Sequence, residues 1–499
     1  VNPYLKHIPL GTSLPFDSPH AVSVSLPTMQ DVIGYEENDP AVHSKMQSGY
    51  PRFFTNKLVA KLCKYVREKN NIADDFDILP LMSSVSLDIV QRKLECTFNF
   101  VEVLGCVFII IEKNNVLLPA VKDFIRHTGM LLSSRKAEDT LLTLHLISEK
   151  HDETISQQQD ATKVVKSNLC KAYDAEINEN VLLCSSGMNA VYAVFEAIQQ
   201  STKRTIKNTI IQAGCLYLDS FEIIRKYSKK SILISIATDF AKLEAQIIKE
   251  HKTIAAVFTE VPNNPLLECA DIPRIYELCK KYDISLIVDS TIGTAYNLNI
   301  LPSCDIAVES LTKFACGNGD VMMGAILLNP RSSKADELKR HLLNTIVFPY
   351  NKDVTRLAYS IEGYKNRVPI ISENTKKIIA YLEQSTAVKE IYSVLNKSSY
   401  ENFLKIRKHS YSLPGVISVV FDKELAYYYD KLTIPKGPSL GTEFTLAMPY
   451  VYLAHYDLIN TIDGRKKLQE IGLNPELLRI SIGIEPVEDI IKVFKKAGI

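Results

Sequence analysis

The chain has 499 residues, with 58 basic and 57 acidic side chains and a formal net charge of +1. That balance gives no electrostatic basis for gripping nucleic acid or an anionic membrane, and no apolar run approaches the ~18 residues of a membrane span. Ten cysteines lie scattered without a Cys-x-x-Cys pair or a Cys/His metal spacing, a pattern expected of reduced, buried thiols in a cytoplasmic protein with no metal.

Length predicts two or three domains. The first six residues form no signal-peptide apolar segment. Residues 20–28 alternate like a strand, 57–69 carry apolar residues at helical spacing (Leu58, Leu62, Val66), and 78–82 and 103–111 read as strands. Residues 1–114 therefore form an accessory α/β extension. Within it Arg52 follows Gly49-Tyr50-Pro51 and is read chiefly as a surface or packing residue. Residues 148–163 are polar, with three consecutive glutamines, and suit a loop or an exposed helix.

A strand over 181–184 runs into Ser185-Ser186-Gly187-Met188 and then an apolar-periodic helix. Free N–H groups at a helix start cradle a phosphate, and small residues let the backbone come close. Strands at 209–212, 232–236 and 254–259 then alternate with helices at 219–227, 240–250 and 271–282. This rhythm requires a mostly parallel sheet with helices on both faces.

The β-branched run 284–288 is a buried parallel strand, and Asp289 stands at its carboxyl end, where ligands sit in open α/β sheets. A carboxylate there suits a protonated pyridine ring, and a helix N-cap is the alternative. A second short strand, 305–308, precedes Ser310-Leu311-Thr312-Lys313, with Gly317, Gly319 and Gly324 beyond it. A lysine at a strand end beside hydroxyls suits covalent capture of an aldehyde cofactor bearing a phosphate. Further on come a helical connection including 373–384, a strand at 416–421, and the closing stretch Leu478-Arg479-Ile480-Ser481-Ile482-Gly483.

Val-Asp-Ser-Thr at 288–291 followed by Glu-Ser-Leu-Thr-Lys at 309–313 resembles the paired motifs of the Cys/Met-metabolism family of pyridoxal-phosphate enzymes. The N-terminal part resembles the fungal-type cystathionine γ-synthases of that family. The resemblance implies a fold-type-I transferase with a pyridoxal-phosphate domain at 115–375 and a small C-terminal α+β domain at 376–499. It implies Lys313 as the cofactor lysine and base, Asp289 on the ring nitrogen, and Gly187 and Met188 on the phosphate. Ser310, Thr312 and Thr291 also fall in cofactor-binding motifs. Glu260-Val-Pro-Asn-Asn-Pro265 matches the family's Glu-x-Pro-x-Asn-Pro, which places Asn264 on the ring oxygen and the substrate carboxylate. Arg479 becomes the clamp for that carboxylate, with Ser439 beside it.

Three positions depart from the family. His127-Thr128-Gly129 to Ser133-Ser134-Arg135 stands where the family carries Tyr-x-Arg, so Arg135 is expected to reach a neighbouring subunit's phosphate, in a homodimer or homotetramer with shared sites. Ala213 replaces a stacking tyrosine, which leaves Tyr217 as the candidate ring contact. Phe444 stands where a glutamate is tied to reaction choice, with Glu443 one residue early. The implied activity is γ-substitution of an O-acyl-homoserine by cysteine, giving cystathionine, in methionine biosynthesis. The alternatives are a β- or γ-lyase, another nucleophile, or a non-catalytic relic with a partner-binding extension.

Overall fold

The computed structural model describes residues 2–175 and 178–499. Its centre is a seven-stranded sheet in the order Val181–Cys184, Gly324–Leu328, Ile306–Ser310, Ser285–Asp289, Ile254–Glu260, Thr209–Ala213, Lys230–Ile234. Gly324–Leu328 runs antiparallel to both neighbours, and the other six strands share one direction. Side chains alternate between the two faces. Val181 and Leu183 join one apolar core, while Leu182 and Cys184 join the other. The expected α/β class and parallel arrangement are both observed.

Three neighbouring strands end level with one another, at Glu260, Asp289 and Ser310, with Asp289 paired to Glu260 across the ladder. Helices begin on their own caps. Asp239 accepts from the Lys242 nitrogen at 3.0 Å, and Ser186 accepts from the Asn189 nitrogen at 3.0 Å. The C-terminal part is a four-stranded antiparallel sheet ordered Val388–Tyr392, Val416–Phe421, Leu478–Ser481, Leu446–Pro449. It positions Arg479 on an inner strand. No helix among the described residues is long and apolar enough to cross a membrane.

The N-terminal region differs from expectation in two places. The expected strand 103–111 is a hairpin, Asn99–Val103 against Cys106–Glu112, because Leu104 and Gly105 both take positive φ (49° and 75°). With Phe76–Leu81 it makes a three-stranded sheet. The alternating stretch 20–28 contributes only Ser23–Val24 to a two-stranded ladder. Elsewhere it is an extended arm whose main chain bonds the C-terminal half: Val22 N–H donates to Gly319 O at 2.9 Å and Leu26 N–H to Lys436 O at 2.8 Å. The polar stretch from 148 runs without regular structure to Asp160, which caps the helix Ala161–Tyr173.

Candidate active site

The level strand ends form the floor of a cavity of about 490 Å³. Lys313 lies three residues beyond the strand Ile306–Ser310. Its Nζ donates to Ser439 Oγ at 2.8 Å and approaches the Tyr50 hydroxyl at 3.4 Å. Burial, reinforced by the guanidinium groups of Arg479 and Arg52, holds its pKa well below the ordinary lysine value. A neutral amine is therefore available near neutral pH.

Asp289 accepts from the Thr291 nitrogen at 2.8 Å, and Thr291 Oγ1 in turn accepts from the Ser310 nitrogen at 2.8 Å. One short loop thus fixes the Asp289 strand against the lysine strand. Burial raises the Asp289 pKa. Glu260 beside it is pushed well above the carboxylate range, first by burial and then by the charge on Asp289. Its carboxyl accepts from the Tyr217 nitrogen at 2.6 Å. Behind this pair, Glu309 receives the hydroxyls of Tyr173 (2.6 Å) and Tyr364 (2.7 Å), and burial lifts it to about 7.

Arg479 is 4 % exposed. Its guanidinium donates to Asn264 Oδ1 at 3.2 Å and to Ser439 O at 2.6 Å. Among the described residues no carboxylate lies within 4 Å of it, and burial lowers its pKa. A buried cation without an anion is costly, so this guanidinium is prepared for an incoming carboxylate. Ser439 serves both cations, its hydroxyl toward Lys313 and its carbonyl toward Arg479, and it does so at φ 90°. Backbone strain of this kind concentrates at ligand clamps.

Gly441 packs the same segment onto the lysine. At φ +75°, an added Cβ would lie 2.6 Å from the Phe314 nitrogen and 2.9 Å from the Lys313 carbonyl carbon. Gly441→Ala should therefore destabilise the protein by about 1–3 kcal/mol and reduce kcat by displacing Lys313. Gly472→Ala, at φ +70° with nothing within 4 Å, is the control for the backbone effect alone. Thermal unfolding and kcat measured on both variants separate the two contributions.

The other expected residues gather in the same cavity: Gly187 and Met188 at a helix start, Thr291, Ser310, Thr312, Asn264 and Tyr217. Gly187 is required there, since an added Cβ would meet Ser310 Cβ at 2.7 Å. The Thr312 hydroxyl is occupied by the main chain of Met323, donating to its oxygen at 3.3 Å and accepting from its nitrogen at 3.2 Å, so it braces the loop. The Tyr217 hydroxyl is bonded by Arg52.

Arg135 does not join them. It is 1 % exposed, with Nε and one terminal nitrogen on Glu153 (2.7 and 2.6 Å) and the other on Asp353 (3.1 Å) and Asp320 O (2.8 Å). It borders a separate polar cavity of about 40 Å³. A guanidinium so enclosed and so fully paired has nothing left to reach a phosphate across a subunit boundary, which corrects the expectation. The arginine that enters the main cavity is Arg52, paired with Asp219 and 5.0 Å from the Tyr217 ring. Asp219 is also bonded by His127 Nδ1 at 2.6 Å. Burial and the nearby Lys226 and Arg126 lower the His127 pKa to about 4. The sequence signal for Arg52 was present in Tyr50-Pro51-Arg52, a tyrosine and an arginine two apart.

The donor set fits pyridoxal 5′-phosphate: an unpaired amine at a strand end, a carboxyl across the cavity floor, a helix start held open by glycine, and a guanidinium at each end. Phe444, by contrast, turns away from the cavity and stacks on Tyr4 at 4.2 Å, while Glu443 pairs with Arg367 at 3.2 Å.

A family model described as Cys/Met metabolism PLP-dependent enzyme matches residues 149–497. An L-2-amino-4-chloropent-4-enoate dechlorinase/desaturase of Streptantibioticus cattleyicolor is 33 % identical over 96 % of each chain. A cystathionine gamma-synthase of Neurospora crassa is 26 % identical over 98 % of this chain and 97 % of its own. Among solved structures, a putative O-acetylhomoserine (thiol)-lyase from Campylobacter jejuni superposes with a TM-score of 0.58 at 20 % identity, covering 72 % of this chain and 91 % of its own.

Proposed function

This chain belongs to the Cys/Met metabolism family of pyridoxal-phosphate-dependent enzymes, and on that premise we propose that it replaces the acyl group of an O-acyl-homoserine with cysteine, giving cystathionine. The observation that carries the reading is Arg479, a buried guanidinium without an acidic partner in the same cavity as the neutral-prone Lys313. Together they define a site for an α-amino acid.

Pyridoxal 5′-phosphate, when bound, supplies an electron sink for negative charge at the substrate Cα. The chain supplies the rest. Arg479 and Asn264 hold the α-carboxylate and so fix the face that Cα presents. Lys313 Nζ, steered by Ser439 Oγ, takes the Cα proton and then, from the same side, a Cβ proton. Loss of the Cβ proton expels the acyl group from Cγ, and a thiol adds there. Asp289, anchored by the Thr291 nitrogen, stands opposite the ring nitrogen as its anion.

Arg479→Lys should raise KM for the amino-acid substrate about ten- to a hundredfold, because losing one charge-assisted bond costs roughly 1.5–3 kcal/mol. Cofactor occupancy should be unchanged, because Lys313 lies on a different sheet. Visible absorbance and saturation kinetics on one preparation check this. A variant that loses cofactor and keeps its KM would place Arg479 elsewhere in the mechanism.

A second reading is γ-elimination without a second amino acid. It is favoured by the side chains of Glu443 and Phe444, neither of which enters the cavity, and by the relative named for dechlorination and desaturation. Product analysis with O-succinyl- and O-acetyl-homoserine, and with a γ-halogenated amino acid, each with and without cysteine, decides between the two. Cystathionine that forms only with cysteine supports substitution, and an unsaturated or keto product formed without it supports elimination.

A further inference from the structure

We propose that each chain completes its own cavity, with Tyr50 and Arg52 supplied in cis by its N-terminal arm instead of by a second copy. The inference rests on the reading of Lys313 as the reactive amine, and it replaces the shared sites that the family resemblance implies.

Tyr50 and Arg52 are 8 % and 6 % exposed. The Lys313 ammonium lies 4.5 Å from the centre of the Tyr50 ring, and the Arg52 guanidinium 5.3 Å from it. Every polar partner of the Arg52 guanidinium belongs to the same chain, with one terminal nitrogen on Asp219 and the other on the Tyr217 hydroxyl. Asp219 is itself 1 % exposed. Withdrawing Arg52 would leave that buried carboxylate facing His127 alone, whose lowered pKa keeps it neutral.

The chain on either side of these residues is pinned locally. Upstream, Ser23 Oγ donates to Pro438 O at 2.6 Å, and Met29 N–H donates to Asp430 Oδ1 at 2.8 Å. Downstream, Asn56 Nδ2 donates to Pro19 O at 2.7 Å, and the helix Lys57–Lys69 packs against Ser134–Thr143. Residues 49–54 therefore sit between two anchors on their own chain. To serve another copy, both anchors would have to be released.

Two experiments test this. In the first, Lys313→Ala and Arg52→Ala chains bearing different tags are co-expressed, and the doubly tagged species is purified and loaded with pyridoxal phosphate. Completion in cis leaves every site with one lesion, so activity stays at the sum of the two parents. Completion in trans creates one intact site per hybrid pair and restores up to about half of wild-type activity, which overturns the proposal. If no doubly tagged species forms because the wild type is an active monomer, the site is complete within one chain and the proposal stands.

The second experiment does not depend on activity. Met29→Cys/Asp430→Cys is oxidised and resolved on a non-reducing denaturing gel, with linked peptides identified by mass spectrometry. A 29–430 link at monomer mass supports the arm in cis, and the same link at dimer mass overturns it. Activity in Lys313→Ala alone would remove the functional reading while leaving this second result to stand or fall by itself.

Discussion

Lys313→Ala should abolish turnover, with a loss of at least about 10⁴-fold. General-base catalysis alone is worth about 10²–10⁴-fold, and this one amine is asked both to hold the cofactor and to move two protons. No other lysine lines the cavity among the described residues, so nothing nearby can substitute. The sign of the pH effect follows from its surroundings. Burial and two guanidinium groups hold the Lys313 pKa well below the lysine value, so the fraction of neutral amine, and with it kcat, should rise as pH increases through that lowered value and be flat above it. The visible band of the loaded enzyme should be absent from the variant. An active Lys313→Ala protein would end the assignment.

Asp289→Asn should keep its fold and lose most of its activity, by about 10- to 10³-fold. The fold survives because the amide oxygen still accepts from the Thr291 nitrogen, the bond that ties the two strand ends together. Activity falls because an opposite charge at hydrogen-bond range is worth about 1–3 pKa units to its partner, and a neutral amide gives that up. In the wild type, burial raises the Asp289 pKa. Its anion is present only above that raised value, so cofactor retention should weaken as pH falls through it, at a pH above the ordinary carboxylate range. The Asn variant should lack that acid limb. Cofactor titration by absorbance across pH, beside kcat, measures both effects. A fully active Asn variant would move the ring-nitrogen partner to another residue.

The parts of this site that could be read in the sequence are those carried by local pattern. A β-branched run ending in Asp289, a strand leading to Lys313, and small residues opening the helix at Gly187 each announce their own position, and in-register pairing of the strands brings them together. Arg479 was legible through its motif, and its sheet delivers it to the cavity. Arg52 and Arg135 show where such reading ends. Both are arginines near a helix start, and their difference lies in which carboxylates the fold brings to them: Glu153 and Asp353 to one, Asp219 to the other. Those partners lie 18 to 218 residues away. The hairpin at Leu104-Gly105 was missed because leucine rarely takes positive φ, and the arm over 20–28 because alternation marks an extended chain without saying what it lies against.

The arm also sets an order of assembly. It is the first part of the chain to be made, yet Ser23 meets Pro438 across 415 positions, and Met29 meets Asp430 across 401. Arg479 belongs to a strand only twenty residues from the end. During synthesis the floor of the cavity, at Asp289 and Lys313, is complete long before its carboxylate clamp, and the opening segment must wait, unpaired, for a groove that is among the last to form. Contacts of such separation are slow to close. A chain cut short anywhere before residue 479 therefore carries the reactive lysine without the clamp beside it, and only the finished polypeptide has both.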